Sequence, residues 1–453
     1  MLNAPALEQF RLEPLDEGFA RVVFDMPGRT MNVFSEAAIR EIEAIADWLP
    51  NSGLKGIVIV SGKTTAFCAG ADLGELGQAY KMIMATPVAE RTALAARHFH
   101  PLGRAFRKLE TAGVPVAVAV AGLALGGGCE LALGGHYRVL TERAELGLPE
   151  TLVGLFPGAG GTQRLPRLIG LDLAMPILLD GGRLTAAQAL ACGAADAVVA
   201  VGEEEAAALA WLRTNPAPQQ PWDRKGHVPA SAGAVRAALA PWRGRVLSSS
   251  AAHQPAMIAT LDCVELGLPL GMDDGIQAEL AQFAALIQRP EPRDMIRTLF
   301  QGRTEFDKRR KAGTLPASAE AVVAAVRAAL GALADMSGAE ATAAGATAAG
   351  FDKPVTPAQG ALPSVDALPA TEGSETYLWF EAPMNDAQRL GAQLIGVATA
   401  AAAPFAAGLD ESDKRVTDLI VLRETGFPAY LGGPFALIDC IGGNGVAHLL
   451  TRT

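Results

Sequence analysis

The chain has 453 residues, of which 50% are hydrophobic, 19% charged and 6% aromatic, so it can bury a sizeable core and falls outside the disordered and fibrous classes. Its 38 Lys and Arg stand against 48 Asp and Glu, a formal net charge of −10, with no basic block long enough to follow a phosphate backbone; a nucleic-acid partner is excluded. Five scattered cysteines, never spaced C-x-x-C, and six histidines outside metal-ligand spacing of them argue against a disulfide scaffold or a zinc site and fit a reducing cytosol.

The stretch Met1–Gly18 carries Glu8, Arg11, Glu13, Asp16 and Glu17 and lacks the apolar centre of a secretory leader. Next come short apolar runs alternating with longer helical patterns, the signature of an α/β layer structure, up to about Val201. Glu36–Leu49 and Glu90–Glu110 have apolar residues at three- and four-residue spacing and are expected as amphipathic helices. Gly56–Val60 and Val114–Val120 are short, rich in Val and Ile, and closed by polar or glycine residues, so both read as buried strands. The longest apolar run, Val114–Leu125, contains Pro115 and Gly122 and is too short to cross a bilayer, so no membrane partner is expected. His98 and His100 form an H-x-H pair without acidic or Cys neighbours and read as surface or packing residues.

Residues 203–311 look mostly helical, broken at Pro216–Pro221 and Pro290–Pro292. Residues 312–374 are rich in Ala, Gly, Pro and Thr. This composition predicts a linker, loosest between Met336 and Ser374, because so little large apolar surface cannot offset the entropy of ordering the chain. A weakly packed Ala helix from Ala317 to Leu333 followed by a loop is compatible with the same letters. Residues 375–453 regain aromatic and aliphatic content and read as a small helical module.

Chemistry concentrates where glycine-rich stations follow the two strands. Phe67-Cys68-Ala69-Gly70-Ala71-Asp72-Leu73 follows the first, and Gly122-Leu123-Ala124-Leu125-Gly126-Gly127-Gly128-Cys129-Glu130-Leu131 follows the second and leads into a helix. Bare backbone at a strand-to-helix turn, with the positive end of a helix beside it, can supply N–H groups to an oxygen that becomes negative during reaction. Neither station fits G-x-G-x-x-G, since Leu131 falls where the last glycine would be. Gly158-Ala159-Gly160-Gly161 fails at Gln163, so no dinucleotide fingerprint is present. Glu130 sits among Cys129, Leu131, Ala132 and Leu133, and Glu150 follows in Leu148-Pro149-Glu150. A carboxylate in such an apolar setting either pairs or works. Two facing one cavity, with affinities for protons pushed apart, are the usual equipment for adding or removing water. Cys68 and Cys129 read as small loop-lining residues rather than nucleophiles.

These segments, together with Gly154-Leu155-Phe156-Pro157-Gly158-Ala159-Gly160-Gly161-Thr162-Gln163-Arg164-Leu165, Leu184–Leu190 and Gly193–Val199, resemble the signatures of the crotonase (enoyl-CoA hydratase/isomerase) superfamily. Asp25-Met26-Pro27-Gly28-Arg29-Thr30-Met31-Asn32 and Arg293–Phe300 are most similar to the hydratase half of multifunctional fatty-acid β-oxidation enzymes. Thr425–Phe435, with Asp439 and Gly442, resembles the end of that family's C-terminal helical 3-hydroxyacyl-CoA dehydrogenase domain, while its NAD-binding domain has no counterpart between. The resemblance implies an α/β fold: a crotonase-like ββα spiral over residues 1–202, a helical extension and linker helix over 203–311, the Ala/Gly/Pro-rich linker over 312–374, and a small all-α C-terminal domain over 375–453.

It further implies that the N–H groups of Ala71 and Gly127 bind the thioester oxygen of an acyl-CoA, and that Glu130 activates water for attack at C3 while Glu150 gives the proton to C2. Ala69 would lie near the adenine end of CoA and Arg29, Met31 and Asn32 near its pantetheine and phosphate entrance, with Gly70, Asp72, Gly126 and Pro157 completing the substrate-binding set. The implied activity is 2-enoyl-CoA hydration without metal, flavin or nicotinamide, acyl-CoA being the substrate. The alternatives are a Δ3,Δ2-enoyl-CoA isomerase, an acyl-CoA hydrolase, or a non-catalytic CoA-binding assembly subunit. Implied partners are a second copy of the chain, or a separate dehydrogenase or thiolase. The last residues, Leu450-Thr451-Arg452-Thr453, carry no peroxisomal address, so a cytoplasmic location is the expectation.

Overall fold

The computed structural model describes residues 4–248, 253–381 and 384–451. They form two compact units, one of residues 1–243 and 259–288, the other of 244–258 and 289–453.

The first unit is built on two sheets that the chain visits alternately. Strands β1 (Phe10–Pro14) and β2 (Phe19–Phe24) form an antiparallel hairpin, and β3 (Gly56–Ser61), β5 (Val116–Val120), β7 (Tyr137–Thr141) and β10 (Ala197–Val199) extend it as a parallel sheet in the order β1-β2-β3-β5-β7-β10. The second sheet takes the intervening strands β4 (Ala66–Cys68), β6 (Leu123–Leu125), β8 (Glu145–Gly147) and β9 (Arg183–Thr185), the last pair antiparallel. One strand in each sheet followed by helix is therefore the repeat, and it recurs at β3–β4, β5–β6 and β7–β8. This is the ββα spiral expected from the sequence.

Local sequence explains the elements. All five residues of β5 are buried, which is why the run reads as continuously apolar rather than alternating. Its pairing starts at Val116 and not Val114, because Pro115 has no N–H to give the ladder; its carbonyl instead accepts from Ile57. One face of the sheet, with Val58, Ala117, Ala119 and Val139, packs against Ala208 and Leu212 of the Glu204–Leu212 helix. The expected amphipathic helices run Glu36–Trp48, capped by Ser35 accepting from the Ala38 N–H, and Val88–Glu110.

The second unit is helical, and here two expected boundaries are corrected. Residues 312–374 are not a linker throughout: the Ala helix that the sequence allowed from Ala317 is present, and a second helix follows it before the chain becomes irregular at Gly350. They contain the helices Ala319–Ser337 and Ala339–Ala349, whose Val322, Val326, Leu330 and Ala346 lie in one apolar core with Leu394, Val397, Phe427 and Phe435. Small residues are what the packing needs: Gly391 of the Asp386–Ala402 helix approaches Gly345 so closely that a Cβ there would fall 2.6 Å from the Gly345 carbonyl oxygen. Even the irregular stretch beyond is tied down, with the Gly443 N–H donating to Thr371 Oγ1 and the Asn444 N–H to the Thr371 carbonyl. Nor is 203–311 a single extension: 259–288 fold with the first unit, and from Arg289 the chain is in the second, where Pro290 starts a new helix. The Asp386–Gly408 segment is long and apolar enough to cross a membrane, yet most of it is buried in this core.

Candidate active site

The two glycine-rich stations occupy neighbouring turns of the first unit. Residues 69–72 leave β4 and are held along residues 32–34: the Ala69 N–H donates to the Asn32 carbonyl at 2.9 Å, the Phe34 N–H to the Gly70 carbonyl at 2.7 Å, and the Asp72 N–H to the Phe34 carbonyl at 3.1 Å. Asp72 then caps the Leu73–Met84 helix, accepting from the N–H groups of Gly74 and Glu75. The second station leaves β6 at Gly126 and opens the Gly127–Gly134 helix. At Gly126 (φ +52°) a Cβ would lie 3.0 Å from Glu150 Oε1 and 3.4 Å from Gly70 Cα, so this one position requires glycine and brings the two stations and a carboxylate together. The N–H groups of Ala71 and of Gly127, the first residue of its helix, have no acceptor among the described residues.

Glu130 lies in the first turn of the Gly127–Gly134 helix, 2% exposed. Its Oε1 accepts from the N–H groups of Ala159 at 2.7 Å and Gly161 at 2.8 Å, at the start of the Gly161–Ile169 helix. Glu150 opens a short helical turn after β8, and its buried Oε2 has no hydrogen-bond partner. The surroundings push the two apart in proton affinity. Burial raises both, but Glu130 is drawn back down by its two N–H donors and by the Arg164 charge, whereas Glu150 is raised further by the charge of Glu130 and ends well above the ordinary carboxylate range. Of the two, Glu150 therefore keeps its proton the more readily and Glu130 gives its own up the more readily, the arrangement for moving a proton out and a proton in.

Three charged residues outside the expected set belong to this framework. Glu279, on the Met272–Leu286 helix, accepts from the N–H groups of Gly160 and Thr162 and from Thr162 Oγ1. Arg164, fully buried, forms a paired contact with Glu110 at 2.7 and 3.1 Å and donates to the Ala159 carbonyl at 2.7 Å. A signal for Glu279 does exist in the sequence: it shares one helix face with Met272, Ile276 and Phe283, so a carboxylate interrupts an otherwise apolar stripe.

The remaining expected residues separate into two groups. Exposed Arg29 reaches Asp72 Oδ2 at 2.9 Å and Met31 is 42% exposed, so both stand at the surface beside the first station. Asn32 is different. It is fully buried and its side chain is used up internally, donating to the carbonyls of Phe24 and Phe67 and to Ser61 Oγ and accepting from the Met26 N–H; it braces the loop and has no free group to offer a ligand. Pro157 is buried ahead of the turn that holds Glu130. Burial pushes the Cys68 thiol up to about 12 and raises Cys129 as well, so neither is a ready thiolate. Among the described residues no group of three or more His, Cys, Asp or Glu is placed to hold a metal ion.

A family model described as enoyl-CoA hydratase/isomerase matches residues 15–218, the stretch that carries the ββα spiral and both glutamates. This domain belongs to the enoyl-CoA hydratase/isomerase family. Among similar proteins, the fatty acid oxidation complex subunit alpha of Shewanella amazonensis is 36% identical over 311 residues, which make up 67% of this chain and 42% of that protein. Its counterpart from Shewanella halifaxensis is 35% identical over 311 residues with the same shares, 67% and 42%. The chain thus spans less than half the length of the curated relatives it matches. A solved enoyl-CoA hydratase from Rhodobacter sphaeroides is 20% identical with a TM-score of 0.50, over 65% of this chain and 90% of that one, and shares the fold. The hydratase/isomerase match ends at residue 218, ahead of the helix that carries Glu279.

Proposed function

We propose that the first unit binds acyl-CoA thioesters and hydrates 2-enoyl-CoA to 3-hydroxyacyl-CoA in a β-oxidation-type sequence. The observation that carries this reading is the pair of buried glutamates with unlike hydrogen bonding, set beside two turns whose Ala71 and Gly127 N–H groups have no acceptor among the described residues.

In the proposed reaction those two N–H groups donate hydrogen bonds to the thioester oxygen as it becomes negative, which makes C3 electrophilic. Glu130, held as the carboxylate by Ala159 and Gly161, takes a proton from water as the water oxygen bonds to C3. The π electrons of C2=C3 move towards the thioester, and Glu150 delivers its proton to C2. Glu130 ends protonated and Glu150 ionised, so one proton must pass back from the first to the second before the next turnover. Every step uses groups of this chain and water, and none calls for a redox cofactor. The family relationship and the fatty acid oxidation relatives support acyl-CoA as substrate, a cytoplasmic location, and association with enzymes that act on the 3-hydroxyacyl product.

The test follows loss of the conjugated-thioester ultraviolet absorbance of 2-enoyl-CoA esters of increasing chain length, with 3-enoyl-CoA in parallel. Glu130→Gln and Glu150→Gln should each lower kcat by about 10²- to 10⁴-fold. Turnover of 3-enoyl-CoA alone would replace hydration by double-bond isomerisation, which one carboxylate can perform. Turnover of neither, with acyl-CoA still bound, would leave a binding role.

A further inference from the structure

Four consecutive backbone N–H groups at the start of the Gly161–Ile169 helix are divided between two buried carboxylates. Ala159 and Gly161 donate to Glu130 Oε1 at 2.7 and 2.8 Å, whereas Gly160 and Thr162 donate to Glu279 Oε1 and Oε2 at 2.5 and 3.1 Å. Gly160, left-handed at φ +99°, sits in the middle of this turn, immediately before the helix. Thr162 Oγ1 adds a third contact to Glu279 at 2.5 Å, and Gln163 Nε2 supports that hydroxyl at 2.9 Å. One turn further along the Glu279 helix, the Phe283 ring lies edge-on to Phe156 at 5.6 Å, so the helix is anchored on the same loop by a second, apolar contact.

We propose that Glu279 is a positioning residue for Glu130: by holding the Gly160 and Thr162 N–H groups it fixes the turn whose other two N–H groups hold the Glu130 carboxylate. The proposal rests on Glu130 being the group that activates water. Among the described residues the hydrogen bonds of Glu279 go to Gly160 and Thr162 and none goes to residues 69–72 or 126–128, so its effect passes through the turn to the chemical step and not to acyl-CoA binding. Besides Glu130, the charged groups that act on it are Arg164 from the helix it caps and, more weakly placed, Glu150 and Arg167. Its placement also explains why a segment beyond residue 218 folds with the first unit: the Met272–Leu286 helix supplies half of the acceptors for the turn.

Two readouts on the full-length protein separate this from a purely structural role. In Glu279→Gln, one acceptor oxygen is replaced by an N–H donor that cannot take a backbone N–H. Amide hydrogen exchange should speed up at residues 159–162 and stay as in the parent elsewhere in the unit. With 2-enoyl-CoA as substrate, kcat should fall about 10- to 100-fold, the size expected for a misplaced catalytic group, with KM within about twofold. Glu279→Asp keeps the carboxyl group but is too short to span both N–H groups. It should fall between parent and Gln variant, and it decides by the same readouts if the Gln variant does not fold. Unchanged exchange at 159–162, unchanged kcat despite faster exchange, or loss of protection throughout the unit with kcat and KM changing together would each overturn the proposal. If the parent itself turns over no enoyl-CoA, the hydratase reading falls and exchange alone decides the clamp: faster exchange confined to 159–162 upholds it, none overturns it.

Discussion

Glu130 and Glu150 are chemically the same residue, and what separates them is the number of N–H groups aimed at each. Two donors at Glu130 Oε1 stabilise the anion, and a buried Glu150 Oε2 without a donor favours the acid. The donors can approach because residue 161 is glycine: a Cβ there would lie 2.9 Å from Glu130 Oε1 and 2.7 Å from Pro157 Cβ. Gly161→Ala should therefore push the carboxylate or the turn aside. Overpacking of this kind costs about 1–3 kcal/mol of stability, and the shift at Glu130 should lower kcat at least tenfold. Urea unfolding midpoints and steady-state kinetics on one preparation check both halves. A variant with parental kcat would mean that the turn relaxes without moving Glu130.

The packing of elements shows which parts of this molecule are readable from residue order and which are not. Strands β3 and β5 are legible because both of their faces are buried, which leaves an unbroken run of Val, Ile and Ala. Glu130 is legible because its sequence neighbours are apolar, and the glycines before it mark the turn. Glu279 is not found by looking near glycine motifs, since it arrives from a helix more than a hundred residues downstream, and only its place on an apolar stripe betrays it. Asn32 looks like a ligand-facing polar residue in sequence and proves to be an internal brace, because burial of a side chain amide cannot be read from its neighbours alone. Residues 319–349 pose the opposite problem. Ala and Gly in quantity signal weak self-burial, yet the same composition suits helices that cross at backbone contact, and only the partner helix distinguishes the two cases. Gly391→Val tests this. Its side chain would have to displace the Gly345 carbonyl, so the second unit should lose about 1–3 kcal/mol. Ala343→Ser, on the exposed face of the helix carrying Gly345, should stay within about 0.5 kcal/mol. Equal effects in the two variants, read from urea midpoints, would contradict the close crossing.

For the whole molecule, the buried carboxyls leave a mark on stability that runs against the usual acid sensitivity of proteins. Burial holds Glu150 well above the ordinary glutamate value of 4.5, and Glu279 rises from the same value to about 8. A raised carboxyl is protonated in both states below the unfolded value, so it has no effect there. As pH rises, the unfolded chain ionises first and becomes relatively favoured, so folded stability falls from about pH 4.5 up to the folded value, by at most about 1.4 kcal/mol per pH unit for each proton. His136 and His253 work in the other direction: burial lowers both, so the folded state gains stability as pH rises towards 6.5 and gains nothing more beyond it. Above pH 6.5 the histidine effect is spent, the carboxyls and, towards pH 8.5, the buried thiols whose ionisation burial also opposes act in one direction, and the melting temperature of the parent should decline between pH 7 and 8.5. Glu150→Gln removes one ionisable group while keeping its shape. It should match the parent near pH 4, where Glu150 is protonated in either state, and be the more stable of the two at pH 8. Melting curves at both pH values decide the matter. A variant no more stable than the parent at pH 8 would mean that Glu150 ionises in the folded protein as readily as in the unfolded chain, which would also remove its fitness as the proton donor to C2. Higher stability joined to lost turnover would instead identify a carboxyl kept at a stability cost for its chemistry.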